Sequence, residues 1–254
     1  MRRPLRAIVI LAVLIGGTAL AWRALDRQFG IVILIGQSNM EGRGDPADLP
    51  ADFPTHSKDI WQFTDAEWKL ARDTPLPNGR VGPAIAIADD LISNGAAKSV
   101  GFVLCAAGNT AIDRWQPGSA RYVSCLERIK RARRSNRIIG AAFYQGESDT
   151  SSMQDVNAWP SKFQAIVAAL RSDLGQTDLP FVMAVIGKIN RPSDARFKYW
   201  QEMQGVQRAI SIPGVSILEA SPFPIGKDGI HLTTKSQLGI ASNFAGAILA
   251  GASH

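Results

Sequence analysis

Ser38 lies in Gly36-Gln37-Ser38-Asn39-Met40, directly after the apolar run Ile31-Val32-Ile33-Leu34-Ile35. A serine hydroxyl is a poor nucleophile until a base takes its proton. Acyl transfer through Ser38 therefore needs a base, an acid to orient that base, and donors for an oxyanion. Only His56, His231 and His254 can serve as an imidazole base. His56 has no accompanying signature, and His254 is the chain terminus. His231 lies in Asp228-Gly229-Ile230-His231-Leu232-Thr233, where the carboxylate three residues upstream can fold back onto Nδ1 and leave Nε2 for the serine. Asp-x-x-His is a short pattern, shared by any turn aspartate next to a surface histidine, and gains weight only from its companions.

Two further segments end in polar residues. Ile138–Phe143 runs into Tyr144-Gln145-Gly146-Glu147-Ser148-Asp149, and the strand candidate 99–105 runs into Ala106-Ala107-Gly108-Asn109-Thr110. Gln145 offers a carboxamide donor to an oxyanion, and Gly108 permits close approach to its backbone N–H. Glu147 offers a second carboxylate.

These residues need a scaffold that gathers them. Ile31–Ile35 reads as a buried parallel strand, with glycine allowing a sharp exit. Strand candidates lie at 31–36, 59–63, 99–105, 138–144, 180–187 and 214–219. Helix candidates lie at 83–95, 119–134, 157–174, 194–211 and 234–251. The alternation predicts an α/β domain with a parallel sheet covered on both faces. In such sheets ligands bind at the strands' C-terminal edge, where these polar segments would emerge. Segment 41–82 is long, rich in Pro, Gly and Asp, and reads as a functional or lid-like loop. Thr234-Lys235-Ser236-Gln237 is a capping-box pattern that starts the last helix just after His231.

The four blocks Gly36–Met40, Ala106–Thr110 with Trp115-Gln116-Pro117-Gly118-Ser119, Tyr144–Asp149 and Asp228–Thr233 resemble those of the sialate O-acetylesterase-type carbohydrate esterases, within the SGNH hydrolase superfamily. The resemblance spans about residues 30–250. It implies a three-layer α/β/α sandwich around a five-stranded parallel, flavodoxin-like sheet. It also implies removal of O-acetyl groups from a carbohydrate, with no cofactor, and the two cysteines and three histidines separately lack the spacing of a metal site. Ser38 takes the place of the nucleophile and His231 of the base. Asp228 is favoured as the orienting acid for its proximity to His231, with Glu147 as its rival. Oxyanion or substrate-binding places fall to Gly108, Asn109, Gln145 and Gln37. Asn109 stands where the family usually has a second glycine, which leaves the choice between the Gly108 and Asn109 N–H groups open. Two alternatives share the blocks: an extracytoplasmic O-acetyltransferase acting on a glycan, and a non-catalytic glycan-binding module. A sialate substrate would ask for a cation near its carboxylate, with Arg43, Arg80 and Arg114 as candidates. Trp61 and Trp115 read as sugar platforms or as packing anchors.

Of the 254 residues, 46% are hydrophobic and 20% charged, enough for one globular domain with a substantial core. Residues 1–29 stand apart as a signal peptide or N-terminal membrane anchor, and 30–254 as the catalytic domain. Arg2, Arg3 and Arg6 precede an uncharged run from Ala7 to Trp22, with Ala19-Leu20-Ala21 as a cleavage candidate. A tether through residues 4–22 and a cleaved signal both predict an extracytoplasmic domain. The net charge of +6 drops to +3 without residues 1–21, which hold three arginines and no acid. That is too mild a charge to argue for nucleic acid. The cluster Arg128, Lys130, Arg131, Arg133, Arg134 and Arg137 reads as the cationic end of a helix. Cys105 and Cys125 lack metal-ligand spacing, and with Cys105 on an apolar strand the expectation is two buried thiols rather than a disulfide. No oligomeric state is specified.

Overall fold

A computed structural model describes residues 29–64, 66–71, 79–134, 136–191 and 193–252. Residues 1–28 of the signal-or-anchor segment and His254 lie outside them, while Phe29, placed at that segment's end, is buried in the core of the domain. Among the described residues no helix is long and apolar enough to cross a membrane.

Among the described residues the sheet has seven strands: β1 Gly30–Gly36, β2 Ile60–Thr64, β3 Glu67–Leu70, β4 Val100–Ala106, β5 Arg137–Tyr144, β6 Phe181–Val185 and β7 Val215–Glu219. Their order is β3-β2-β4-β1-β5-β6-β7. Every pair is parallel except β2 with β3. The five strands β4-β1-β5-β6-β7 form the expected flavodoxin-like core. β2 and β3 are additions, and they correct the five-stranded count and the lid-like reading of 41–82. That segment instead extends the sheet by a hairpin whose Trp68 packs edge-on against Phe29 and Phe63.

All seven residues of β1 are buried, as an all-apolar strand with parallel neighbours on both sides requires. Helices cover the two faces: α1 Ser38–Glu41, α2 Ala84–Ser93, α3 Ala120–Arg133, α4 Met153–Leu174, α5 Trp200–Arg208 and α6 Thr234–Gly251. α2 packs on α6, and α4 packs on both α3 and α5, which gives the three layers. α4 starts earlier than the apolar pattern suggests because Ser152 caps it, accepting from the Gln154 and Asp155 N–H groups. α5 is shorter than 194–211 because Ala195–Phe197 winds as a separate 3-10 turn. α6 is capped one residue before the expected Thr234. The Thr233 hydroxyl accepts from the Ser236 N–H, while the Thr234 hydroxyl donates to the Asp45 carbonyl.

Cys105 at the end of β4 and Cys125 on α3 form a disulfide, with Cα atoms 5.6 Å apart, which corrects the expectation of free thiols. An i→i+20 pairing is not readable from spacing alone, since it depends on α3 folding back over β4. Four of the cluster, Arg128, Lys130, Arg131 and Arg133, occupy the last turns of α3, Arg134 follows its end and Arg137 opens β5, but Arg128 and Arg133 turn inward. Their guanidinium groups donate to the carbonyls of Leu104, Phe63 and Leu174.

Candidate active site

The site forms where β1 leaves the sheet. A Cβ on Gly36 would stand 2.1 Å from the Tyr144 carbonyl oxygen, so only glycine lets β1 turn beside β5 there. The Gln37 N–H then donates to that same carbonyl at 3.0 Å. The chain enters the single turn α1 with Ser38 first. At that position a backbone N–H has no intrahelical acceptor, and Ser38's has none among the described residues.

Ser38 Oγ lies 2.8 Å from His231 Nε2. His231 Nδ1 lies 2.6 Å from Asp228 Oδ2, and Asp228 Oδ1 accepts the Ile230 and His231 N–H groups at 3.0 Å each. Burial pushes the Asp228 carboxyl up, but the His231 N–H, the imidazole and the Ile230 N–H outweigh it and hold the group below the usual carboxylate range. The described residues thus bring Ser38, His231 and Asp228 into one line, from opposite ends of the chain.

Glu147 is not part of that line. It is buried, and its Oε1 accepts from Asn39 Nδ2 at 2.9 Å. Burial raises its carboxyl to about 7, against the lowering effect of the Asn39 bond. The motif alone assigns no role to Asn39. Its Oδ1 accepts the Leu232 N–H at 3.0 Å and its Nδ2 also reaches the Ile230 carbonyl at 3.5 Å. It thereby joins the serine turn to the histidine loop.

Gln145 is corrected as an oxyanion donor. It is fully buried, and its Nε2 donates to the Thr110 carbonyl at 3.0 Å, to Gln37 Oε1 at 3.2 Å and to Asp149. Its Oε1 accepts from Trp159 Nε1 at 3.0 Å. Burial raises the Asp149 carboxyl to about 6, opposed by bonds from Gln145 and the Ile112 N–H. Of the two glutamines, Gln37 lines the cavity and Gln145 does not. Gln145 and the N–H groups of Gly146 and Ser148 hold Gln37 Oε1, while Gln37 Nε2 has no acceptor among the described residues.

Gly108 also differs from expectation, for its N–H already donates to Glu41 Oε2 at 2.8 Å. The Asn109 N–H has no acceptor among the described residues, and Asn109 adopts the left-handed φ of 55° that its place in the turn requires.

A cavity of about 460 Å³ opens over Ser38 and His231. Gln37, Glu41, Gly108, Asn109 and Ile230 form part of its wall, and Arg43, Arg191, Arg196 and Phe197 add a cationic rim. The last three come from the loop after β6, another strand end at the same edge, and the sequence offered no motif there. Of the arginines considered for a substrate carboxylate, Arg43 lines the cavity. Arg114 lines a separate hollow beside the disulfide, and Arg80 is exposed outside the cavity wall. Arg196 forks onto Asp194, and that bond holds the Asp194 carboxyl at about 2. Trp115 is buried with its Nε1 on the Thr110 hydroxyl, and Trp61 stacks on Phe29, so both serve packing.

His56 has an acidic neighbour too, Asp89, at 3.0 Å. Ser93 approaches the same ring nitrogen, Nδ1, at 3.5 Å, so no relay can pass through the ring. Among the described residues no group of His, Cys, Asp and Glu could hold a metal ion.

Residues 28–250 match the model of the carbohydrate esterase family described as sialic acid-specific acetylesterase. The sequence is 28% identical over 240 residues to the probable carbohydrate esterase At4g34215 of Arabidopsis thaliana, covering 86% of this chain and 90% of that one. The X-ray structure of that Arabidopsis protein superposes with a TM-score of 0.77 at 27% identity, over 88% of this chain and 99% of that one. Two more distant structures share the fold at 17% identity. NanS has a TM-score of 0.66 over 88% and 97% of the two chains. XAC1771, a carbohydrate acetylesterase of Xanthomonas citri, has 0.64 over 88% and 56%.

Proposed function

The chain belongs to the sialic acid-specific acetylesterase family of carbohydrate esterases, and from that membership we propose that it removes O-acetyl groups from a carbohydrate through an acetyl-Ser38 intermediate. The observation that carries the reading is the 2.8 Å contact between Ser38 Oγ and His231 Nε2, backed by Asp228 at 2.6 Å.

In the proposed cycle Ser38 Oγ attacks the acetyl carbonyl carbon while His231 Nε2 takes its proton. The carbonyl π electrons move onto oxygen, where the N–H groups of Ser38 and Asn109 and the Gln37 carboxamide can donate. As the intermediate collapses, the bond to the sugar oxygen breaks and His231 protonates that oxygen. Asp228 stabilises the imidazolium between these steps. Water then repeats the sequence on acetyl-Ser38, releasing acetate. Arg191, the least engaged of the rim arginines, suits an acidic sugar, and the family description points to sialic acid.

Two features support an extracytoplasmic location: the Arg-flanked apolar run up to Trp22 and the Cys105–Cys125 bond, since disulfides persist in oxidising compartments. Fractionation of expressing cells tests this, and a cytosolic pool with reduced cysteines would overturn it.

The test of mechanism is acetate release from 4-nitrophenyl acetate and O-acetylated sialic acid by wild type and Ser38→Ala, with intact-mass detection of an acetyl adduct. The expected result is loss of both turnover and adduct in Ser38→Ala. An unchanged rate would refute the nucleophile. Transfer of acetyl to an added glycan without free acetate would mark a transferase instead.

A further inference from the structure

The turn after β4 is anchored by side chains that follow the nucleophile in sequence. The Gly108 N–H donates to Glu41 Oε2 at 2.8 Å, and Arg43 Nη2 donates to the same oxygen at 2.8 Å. Arg43 Nη1 donates in turn to the Gly42 carbonyl at 2.6 Å. A Cβ at position 108 would stand 2.4 Å from Arg43 Nη2 and 3.2 Å from Glu41 Oε2, so glycine is what lets this ion pair reach the backbone. The other side of the turn is held by the Ala107 N–H on the Gly36 carbonyl and the Thr110 hydroxyl on the Ala107 carbonyl. With Gly108 and Ala107 both engaged, Asn109 is the cavity-lining residue of this turn whose N–H has no acceptor among the described residues.

We propose that Glu41, oriented by Arg43, is a positioning residue that fixes the Gly108–Asn109 turn relative to Ser38 and thereby aims the Asn109 N–H at the reacting carbonyl oxygen. The proposal rests on the acyl-transfer reading above and adds a part to it. Glu41 lies three residues after Ser38 on the same short turn, so the clamp ties nucleophile and oxyanion donor to one rigid unit. A carboxylate this close to a developing oxyanion would oppose it by like charge. Arg43 neutralises that carboxylate, which explains why the pair occurs together. The clamp and a blocking role for Glu41 predict opposite signs. A plug in the oxyanion site would speed turnover when removed, whereas a clamp would slow it.

The experiment compares kcat, KM and thermal midpoint on 4-nitrophenyl acetate for wild type, Glu41→Ala, Glu41→Gln, Arg43→Met and Ser38→Ala. Misplacing a reacting group by about 1 Å can cost roughly 100-fold. Glu41→Ala is therefore expected to lower kcat about 10–100-fold with KM little changed. Glu41→Gln keeps an oxygen acceptor for the Gly108 N–H, in a neutral bond about half as strong, and should stay within about tenfold of wild type. Arg43→Met leaves an unneutralised carboxylate and should lose at least as much as Glu41→Ala. Adding Glu41→Ala to it should then cost little more, or restore some rate. If Glu41→Ala does not fold, Arg43→Met decides, since that side chain is 26% exposed. Wild-type or faster turnover in Glu41→Ala and Arg43→Met, with Ser38→Ala dead, overturns the clamp alone. Wild-type turnover in Ser38→Ala overturns the acyl-transfer reading and the clamp with it.

Discussion

Asp228 grips His231 at two points: its Oδ2 lies 2.6 Å from Nδ1, and its Oδ1 accepts the His231 backbone N–H at 3.0 Å. One carboxylate thus fixes both the ring and the backbone of the residue it orients. Glu147, the rival carboxylate, bonds Asn39 instead. Asp228→Asn should therefore lower kcat by about 10²–10³. That is less than the ~10⁴ recorded for a fully buried triad aspartate, because Asp228 is partly exposed and solvent screens its charge. Glu147→Gln preserves an acceptor for Asn39 and should stay within about tenfold of wild type. Steady-state rates on 4-nitrophenyl acetate decide, and a larger loss in Glu147→Gln would reverse the two roles.

Gln37→Ala removes a carboxamide from a residue that lines the cavity, and one lost oxyanion donor typically costs about 10²–10³ in kcat. Gln145→Leu should imitate it more weakly. It removes one of three donors from Gln37 Oε1 and strands Trp159 Nε1, so it should also lower the thermal midpoint, which is the cost of an unpaired buried polar group. If Gln145→Leu slows turnover more than Gln37→Ala at unchanged stability, the order of contact with substrate is the reverse.

How much of this was legible in the sequence follows from what kind of signal each feature leaves. Ser38, Asp228 and His231 could be read because a glycine turn after a buried strand, and an acid three residues from a histidine, are local patterns. The two carboxamides were harder. Gln145 and Gln37 both end strands, and only their packing shows that one holds the other. β2 was legible as the candidate at 59–63, but its partner β3 was hidden because a four-residue strand among Pro and Gly residues looks like loop. Cys105 and Cys125 pair only once α3 lies over β4. Arg191 and Arg196 sit in a strand-end loop with no recurrent spacing, so their place at the cavity needed coordinates.

The Glu147 carboxyl should leave a mark on stability. Burial raises it from 4.5 to about 7 in the folded protein. The folded state then holds a proton that the unfolded chain has released, so stability is full below about 4.5 and falls as pH rises to 7. Asp149, raised from 3.8 to about 6, acts in the same sense at lower pH. Glu147→Gln should match wild type near pH 4 and exceed it at pH 8 by up to about 3 kcal/mol in urea unfolding. The difference between the two proteins isolates this group from Asp228, whose lowered carboxyl stabilises the fold above its unfolded value and loses that contribution as pH falls. A gap that narrows on raising the pH would contradict the assignment.

The Cys105–Cys125 bond closes a loop with a sequence separation of 20. Chain-entropy arguments give about 3 kcal/mol for such a loop. The double variant Cys105→Ala/Cys125→Ala should thus melt roughly 6–12 °C lower, at about 2–4 °C per kcal/mol for a domain of this size. Dithiothreitol should reproduce the drop in wild type and leave the variant unmoved. Equal midpoints in oxidised and reduced wild type would show that the bond adds nothing to the fold.

Arg191 offers the sharpest test of substrate charge. Its Nε donates to the Asp228 carbonyl at 2.6 Å, and its Nη1 lies 3.6 Å from Asp194, which Arg196 already engages. Of the rim arginines, Arg43 is taken by Glu41 and Arg196 by Asp194, so Arg191 has the most charge left for a ligand. A charge-assisted bond to a sugar carboxylate contributes about 1.5–3 kcal/mol. Arg191→Met should therefore cut the ratio of kcat/KM on O-acetylated sialic acid to kcat/KM on a neutral acetylated xylo-oligosaccharide by at least about tenfold. Any disturbance passed through the Asp228 loop moves both substrates alike and cancels in the ratio. An unchanged ratio would mean that the cavity reads the acetyl group and the sugar ring without reading the acid.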